Sequence, residues 1–179
     1  MMTATPVDLT SSETVRTIFI RGLQNAHALE KQAIQIMNRQ IERLEHYPEM
    51  KQLLQQHTAE TEGQIRRLDE ILQTLGEDRS LLKDTATQLM GNMAALAHVP
   101  MADEVLKDAF SNHAFENFEI AAYTSLIAVA EAAGYPQFVP VLRQTLEEEE
   151  KASRMIFDQI GPITLKYLDR EARGLKADR

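Results

Sequence analysis

Two breaks in this chain are only a few residues long, and each separates two stretches that hold helical periodicity over many turns. His46-Tyr47-Pro48 and Gly134-Tyr135-Pro136 stop a helix by known means. Proline disfavours helix in the residue before it and suits the first turn of the next helix, while glycine accepts the left-handed cap. Connections this short force the flanking helices into antiparallel hairpins. The periodicity predicts one helix from about Ser12 to Glu45, after the N-cap candidates Thr10-Ser11-Ser12, and a second from about Pro48 to Leu75, closed by Gly76. A third is predicted over about Ala102 to Ala133. A fourth runs from Pro136 to about Ile160, stopped by Gly161-Pro162, with a helical tail over Thr164 to Ala172. No stretch shows the period of a strand. Between the hairpins, Leu81, Leu82, Thr85, Leu89, Met93 and Leu96 recur at helical spacing, so the crossover is expected to carry a short amphipathic helix rather than a long structureless loop. An all-α four-helix bundle of two hairpins joined by one long crossover follows, the connectivity of ferritin-like bundles. It is read as one domain spanning residues 1–179, with an ordered core over about 12–168 and frayed ends, Arg170 to Arg179 included.

The apolar stripes of all four helices are interrupted midway by acids. The first reads Phe19, Leu23, Ala26, Glu30, Ile34, Met37, Ile41, Leu44, and the second Met50, Leu53, His57, Glu60 with Thr61, Gln64, Leu68, Ile71, Leu75. The third reads Val105, Ala109, Asn112, Glu116, Glu119 with Ile120, Tyr123, Ile127, Ala130, and the fourth Phe138, Leu142, Leu146, Glu149, Ala152 with Ser153, Ile156, Ile160. At about 1.5 Å per residue, Glu30 lies roughly 25 Å before the first turn and His57 and Glu60 lie roughly 15–20 Å beyond it. Glu116, Glu119 and Glu149 stand at comparable distances from the second turn, so antiparallel pairing brings all of them to one level.

Carboxylates gathered in an apolar core raise one another's pKa and lose several kcal/mol of hydration, on the order of magnitude known for buried ions, unless a cation compensates. No Lys or Arg falls on the inward stripes. Bound metal compensates directly, and carboxylate oxygens with an imidazole suit iron or manganese. The expected ligands are Glu30, His57, Glu60, Glu116, Glu119 and Glu149, holding two transition-metal ions, Fe or Mn, with Gln64 and Tyr123 supporting them. Taken singly, a Glu on a stripe is more often a rim residue and a lone His a core histidine; coincidence on four helices is what singles these out. Glu116 and Glu119 fall on opposite sides of their stripe, which leaves open that one faces solvent or a partner. Glu148 is the alternative to Glu149, His27 lies at a stripe edge, and Met37 and Met155 are core filling.

Other chemistry is narrowed by composition. The chain has no cysteine, which removes disulfides, thiolate ligands and thiol nucleophiles together. A net charge of −8, with 19 basic residues interspersed among 27 acids, disfavours nucleic acid or anionic membrane as a partner. No apolar run approaches the roughly 20 residues that span a bilayer, and the first residues show no secretory leader, so a cytoplasmic location is expected. No phosphate loop, HExxH or nucleophile elbow occurs.

Several stretches resemble the YciE/YciF family of ferritin-like bacterial stress proteins, and its YciE branch in particular. They are Ala26-His27-Ala28-Leu29-Glu30-Lys31-Gln32-Ala33, Tyr47-Pro48-Glu49, His57-Thr58-Ala59-Glu60-Thr61-Glu62-Gly63-Gln64, Phe115-Glu116-Asn117-Phe118-Glu119-Ile120-Ala121-Ala122-Tyr123-Thr124-Ser125-Leu126, and the Glu148-Glu149 pair. The resemblance implies a ferritin-like fold, a homodimer and an association with stress responses. The ligand pattern departs from ferritin-like enzymes, where Glu-x-x-His recurs on two helices. Here the second helix carries His57-x-x-Glu60 in reverse order, and the fourth has Ala152 and Ser153 where a histidine is expected. Three functions are therefore expected to compete: a di-metal protein acting on oxygen or peroxide, a metal-binding or structural dimeric bundle without turnover, and iron storage in a cage.

Overall fold

The computed structural model describes residues 9–10, 12–77 and 103–178. They form helices α1 (Glu13–Arg43), α2 (Pro48–Thr74), α3 (Glu104–Ala132) and α4 (Val139–Ala172), with a single 3-10 turn at Pro136–Phe138 leading into α4. No strand occurs among the described residues. The predicted crossover helix lies outside them. Ser12 caps α1, its hydroxyl accepting from the Val15 N–H at 3.4 Å. Helices α2 and α3 end at Gly76 (φ 77°) and Gly134 (φ 74°), where a Cβ would be strained. At each, the next residue's N–H reaches back into the last turn, Glu77 to the Leu72 carbonyl and Tyr135 to the Ala130 carbonyl.

The first hairpin pairs α1 with α2 and the second pairs α3 with α4; α1 then lies against α3, and α2 against α4. This square arrangement has an interior divided in two. At one end Phe19, Leu23, Leu68, Ile71, Leu126, Ala130, Phe138 and Leu142 pack together, with Phe19 stacked on Tyr135. At the other, Met37, Leu44, Tyr47, Leu54, Val105, Ala109, Phe115 and Ile156 form a second apolar cluster. The acidic level of the stripes lies between them.

The fourth helix departs from expectation. It does not stop at Gly161-Pro162 but runs unbroken to Ala172. Proline removes one backbone hydrogen bond and crowds the preceding turn. Asp158, Gly161 and Pro162 all face solvent, however, so the carbonyl that loses its partner is on the wet side. On the inner side Ile163 is buried and Ile160 and Tyr167 pack on the second cluster, which holds the helix together past the proline.

The C-terminal residues also differ from the frayed tail expected of them. After Gly174 (φ 68°) the chain turns back, the Arg170 Nε donates to the Lys176 carbonyl at 2.6 Å, and Ala177 is buried. The Tyr47 hydroxyl donates to the Ala177 carbonyl at 2.6 Å and so ties the tail to the α1–α2 turn. Tyr47→Phe should cost about 1 kcal/mol by loss of this buried bond. A fall of roughly 2–4 °C in the unfolding midpoint, measured by circular dichroism, is the expected result for a chain of this size.

Candidate metal centre

Each helix carries its polar residue inward because the stripe on either side must bury apolar groups, and the acid is taken along with them. Glu30 on α1, His57 on α2, Glu116 and Glu119 on α3 and Glu149 on α4 are all at most 3 % exposed. Two trios result. His57, Glu116 and Glu149 each offer a ligand atom within 4.8 Å of the others, and so do Glu30, Glu119 and Glu149. Glu149 belongs to both. Glu116 and Glu119 both point inward, which resolves the ambiguity of their stripe.

His57 Nε2 lies 3.0 Å from Glu116 Oε2 and 3.4 Å from Glu149 Oε2. The second contact has ion-pair distance without hydrogen-bond geometry, so Glu149 Oε2 counts among the atoms with no hydrogen-bond partner. The other Glu149 oxygen accepts from Gln64 Nε2. Gln64 Nε2 also lies 3.1 Å from Glu148 Oε2, and Arg67 ties that carboxylate down from outside while donating to Thr145 at 3.0 Å. Glu148 thus belongs to the α2–α4 seam and Glu149 to the interior. At the second trio the Tyr123 hydroxyl donates to Glu30 Oε1 at 2.5 Å. Glu30 Oε2 and both oxygens of Glu119 have no hydrogen-bond partner.

Glu60 stands apart from the other expected ligands. Helical geometry sets it about 60° round from His57, which brings its carboxylate to the half-buried edge of α2 rather than into either trio. Gln56 Nε2 at 3.0 Å and Lys151 Nζ at 3.2 Å hold its Oε1, and Oε2 lies 3.5 Å from His57 Nδ1. It therefore meets the imidazole on the face away from the carboxylates. His27 is not part of the centre either; its Nε2 lies 3.2 Å from Asp69 Oδ1 across the α1–α2 seam. The stripes alone did not reveal Arg67, Thr145 and Lys151 as supports. Each acts across the α2–α4 seam, Arg67 of α2 on Glu148 and Thr145 of α4, and Lys151 of α4 on Glu60 of α2, so no spacing within one helix announces them.

Electrostatics at this level are those of four buried acids with a single imidazole among them. Burial, then the neighbouring Glu149, raises the Glu30 pKa well above the usual carboxylate range. Burial and Glu30 do the same to Glu119. Glu116 is pushed up to about 7 by burial, against the pull of His57. Burial alone would discharge His57, but its contacts with the carboxylates of Glu116, Glu149 and Glu60 outweigh it and raise its pKa well above the ordinary value. Burial acts upward on Glu149 as well, yet His57, Glu116 and Gln64 together hold its pKa below the usual range. Glu60, hydrogen-bonded to His57, is lowered to about 2 and stays ionised. Among the described residues no Lys or Arg pairs with any of the four buried carboxylates.

The donor set fits metal. Four carboxylates and a neutral imidazole match the charge of two divalent cations. Among the described residues, four of the six buried side-chain oxygens left without partners belong to the trios: Glu30 Oε2, both Glu119 oxygens and Glu149 Oε2, the others being Gln32 Oε1 and Gln64 Oε1. Buried polar atoms are otherwise nearly always satisfied, so an unpartnered group here requires a ligand or a proton.

Comparison with known proteins agrees with this architecture. Residues 14–169 match the family described as Domain of unknown function (DUF892). The chain belongs to that family. It is 28% identical over 157 residues to Protein YciF of Escherichia coli (strain K12), covering 82% of this chain and 90% of YciF. Among solved structures, a protein from Xanthomonas campestris pv. campestris superposes with a TM-score of 0.74 at 28% identity, covering 88% of this chain and 99% of that one. The E. coli stress protein YciF superposes with a TM-score of 0.66 at 23% identity, over 83% of this chain and 96% of its own, which bears on the fold alone. Among the described residues of this DUF892 chain, no helix is long and apolar enough to cross a membrane.

Proposed function

We propose that this chain is a dinuclear metal protein of the Fe or Mn class, serving stress defence by chemistry on oxygen or peroxide. The observation that carries the reading is Glu119, an acid with less than 2 % exposure, neither oxygen partnered, facing two more carboxylates. A structural acid would have a cationic or hydrogen-bonding neighbour. His57, Glu116 and Glu149 would hold one ion and Glu30, Glu119 and Glu149 the other, with Glu149 shared. Ions bound there would supply Lewis acidity and a reversible electron to a small oxidant.

The protein's own groups have definable tasks around that pair. Gln64 fixes the direction of the Glu149 carboxylate by donating to one oxygen. Tyr123 does the same for Glu30. Glu60, facing His57 Nδ1, favours the tautomer that carries its proton on Nδ1 and leaves Nε2 free to coordinate. The two apolar clusters exclude water from above and below. The association with stress is supported by the 28% identity to Protein YciF, a protein known as an E. coli stress protein.

The test is metal analysis after anaerobic loading with Fe(II) or Mn(II), followed by measurement of oxygen and peroxide consumption. About two ions per chain, with consumption of one oxidant, support the reading; a chain that takes up no metal refutes it. Two ions without turnover would favour a non-catalytic metal-binding bundle, the reading favoured by the single imidazole among the ligands. Gln64→Ala should weaken metal binding by about 10- to 100-fold, the range usual for groups that orient a ligand. Competition against a chromogenic chelator measures it.

A further inference from the structure

We propose that the two metal positions are chemically unlike: the His57 position selects a borderline ion such as Fe(II), and the all-oxygen position takes a hard ion such as Mn(II), so the centre loads with one of each. This inference rests on the dinuclear reading above and goes further by assigning each ion to a place.

The two trios share Glu149 and differ in everything else. One consists of His57 on α2 with Glu116 and Glu149, and His57 presents Nε2 toward both acids. The other consists of Glu30, Glu119 and Glu149, and no nitrogen donor belongs to it. Its available atoms are all carboxylate oxygens: Glu30 Oε2 and both oxygens of Glu119, each buried and unpartnered. Tyr123 occupies Glu30 Oε1, which directs the remaining oxygen to the ion.

Donor type decides preference. Imidazole suits iron and the later divalent metals, whereas carboxylate oxygen suits magnesium, calcium and manganese. The general rise in affinity from Mn(II) to Fe(II) applies to both positions. Replacing one oxygen by nitrogen steepens it, so His57 favours iron more strongly than the Glu30–Glu119 position does. The nearby supports reinforce the difference. Glu60 lies against His57 Nδ1 at 3.5 Å and strengthens the imidazole as a donor to a transition ion. Glu119 has no support at all, which leaves it free to bind through one or both oxygens, as hard ions of variable coordination accept.

The experiment uses the full chain, freed of metal by a chelator and given one equivalent each of Fe(II) and Mn(II) without oxygen. Bound metal is counted after desalting, and Mn(II) is followed by electron paramagnetic resonance. One Fe and one Mn per chain is the expected result, with the isolated six-line Mn(II) signal lost through coupling to the neighbouring iron. His57→Ala should lower bound Fe at least fivefold and retain Mn, whereas Glu119→Gln should lose Mn and retain Fe. Circular dichroism checks that both variants are folded, and the wild-type competition decides the matter if either is not. Two ions bound without discrimination, or both variants losing the two metals equally, would overturn this inference and leave the dinuclear reading standing. Absence of any bound metal would overturn both.

Discussion

Glu149→Ala should empty both proposed metal positions at once. Glu149 is the residue common to the two trios, fully buried and held by Gln64 on one oxygen. Removing it would take a ligand from each proposed ion and leave a gap among Glu30, Glu119 and Glu116 that water or an added carboxylate would have to fill. Bound metal should fall from about two ions per chain to fewer than one. Glu148→Ala is the control. Glu148 lies on the seam, bonded to Arg67 and Gln64, and its loss should lower affinity without abolishing stoichiometry. If Glu149→Ala retains two ions, the shared ligand has been misassigned.

Glu119→Leu should stabilise the metal-free protein while abolishing the metal position proposed beside it. A buried carboxylate without partners is a cost to folding, and replacing buried charged groups by apolar ones of similar volume often gains about 1–4 kcal/mol. For a chain of this size that corresponds to a rise of roughly 2–4 °C in the unfolding midpoint for each kcal/mol. The same groups set the pH dependence. Glu30, Glu119 and Glu116 have folded-state pKa values raised above their unfolded ones. Between the unfolded carboxylate range and those raised values the folded state binds more protons than the unfolded chain, so stability falls as pH rises. His57, also raised, acts in the same direction, its contribution fully present below its unfolded value and lost as pH climbs through the folded one. Glu60 and Glu149 act oppositely, but only in acid, where their stabilisation is lost as pH drops below the usual carboxylate range. The chelator-treated protein should therefore melt lower at pH 8 than at pH 5.5, by on the order of 5 °C. Metal-loaded protein should show the reverse, because ions replace those protons and bind more tightly as pH rises. A midpoint indifferent to pH in the metal-free state would contradict the buried, protonated acids.

Much of this was legible in the residues themselves. The two short breaks dictate the hairpins, and the stripes dictate which face of each helix is buried. Counting residues from the turns placed Glu30, His57, Glu116 and Glu149 at one level, where the structure has them. Three things escaped. Glu60 shares the stripe in projection, but a rotation of about 60° about the helix axis carries it to the rim, and periodicity resolves faces no more finely than that. The stop at Gly161-Pro162 failed because local propensity was overridden by burial of Ile163 and Tyr167, which depends on the partner helices. The returning tail rests on a contact between Tyr47 and Ala177 across 130 residues, and no local pattern announces it.

The division of the interior into two apolar clusters has a mechanical consequence. Each cluster closes one end of all four helices, and the acidic level between them, with several buried oxygens unpartnered, contributes little cohesion of its own. Without metal the bundle is thus two small cores strung on the same four rods, joined at a seam of buried acids that hold protons for want of partners. Ions bound at that seam, as proposed, would act as a rivet: their removal would loosen the waist of the molecule before either end, since every helix passes through that level.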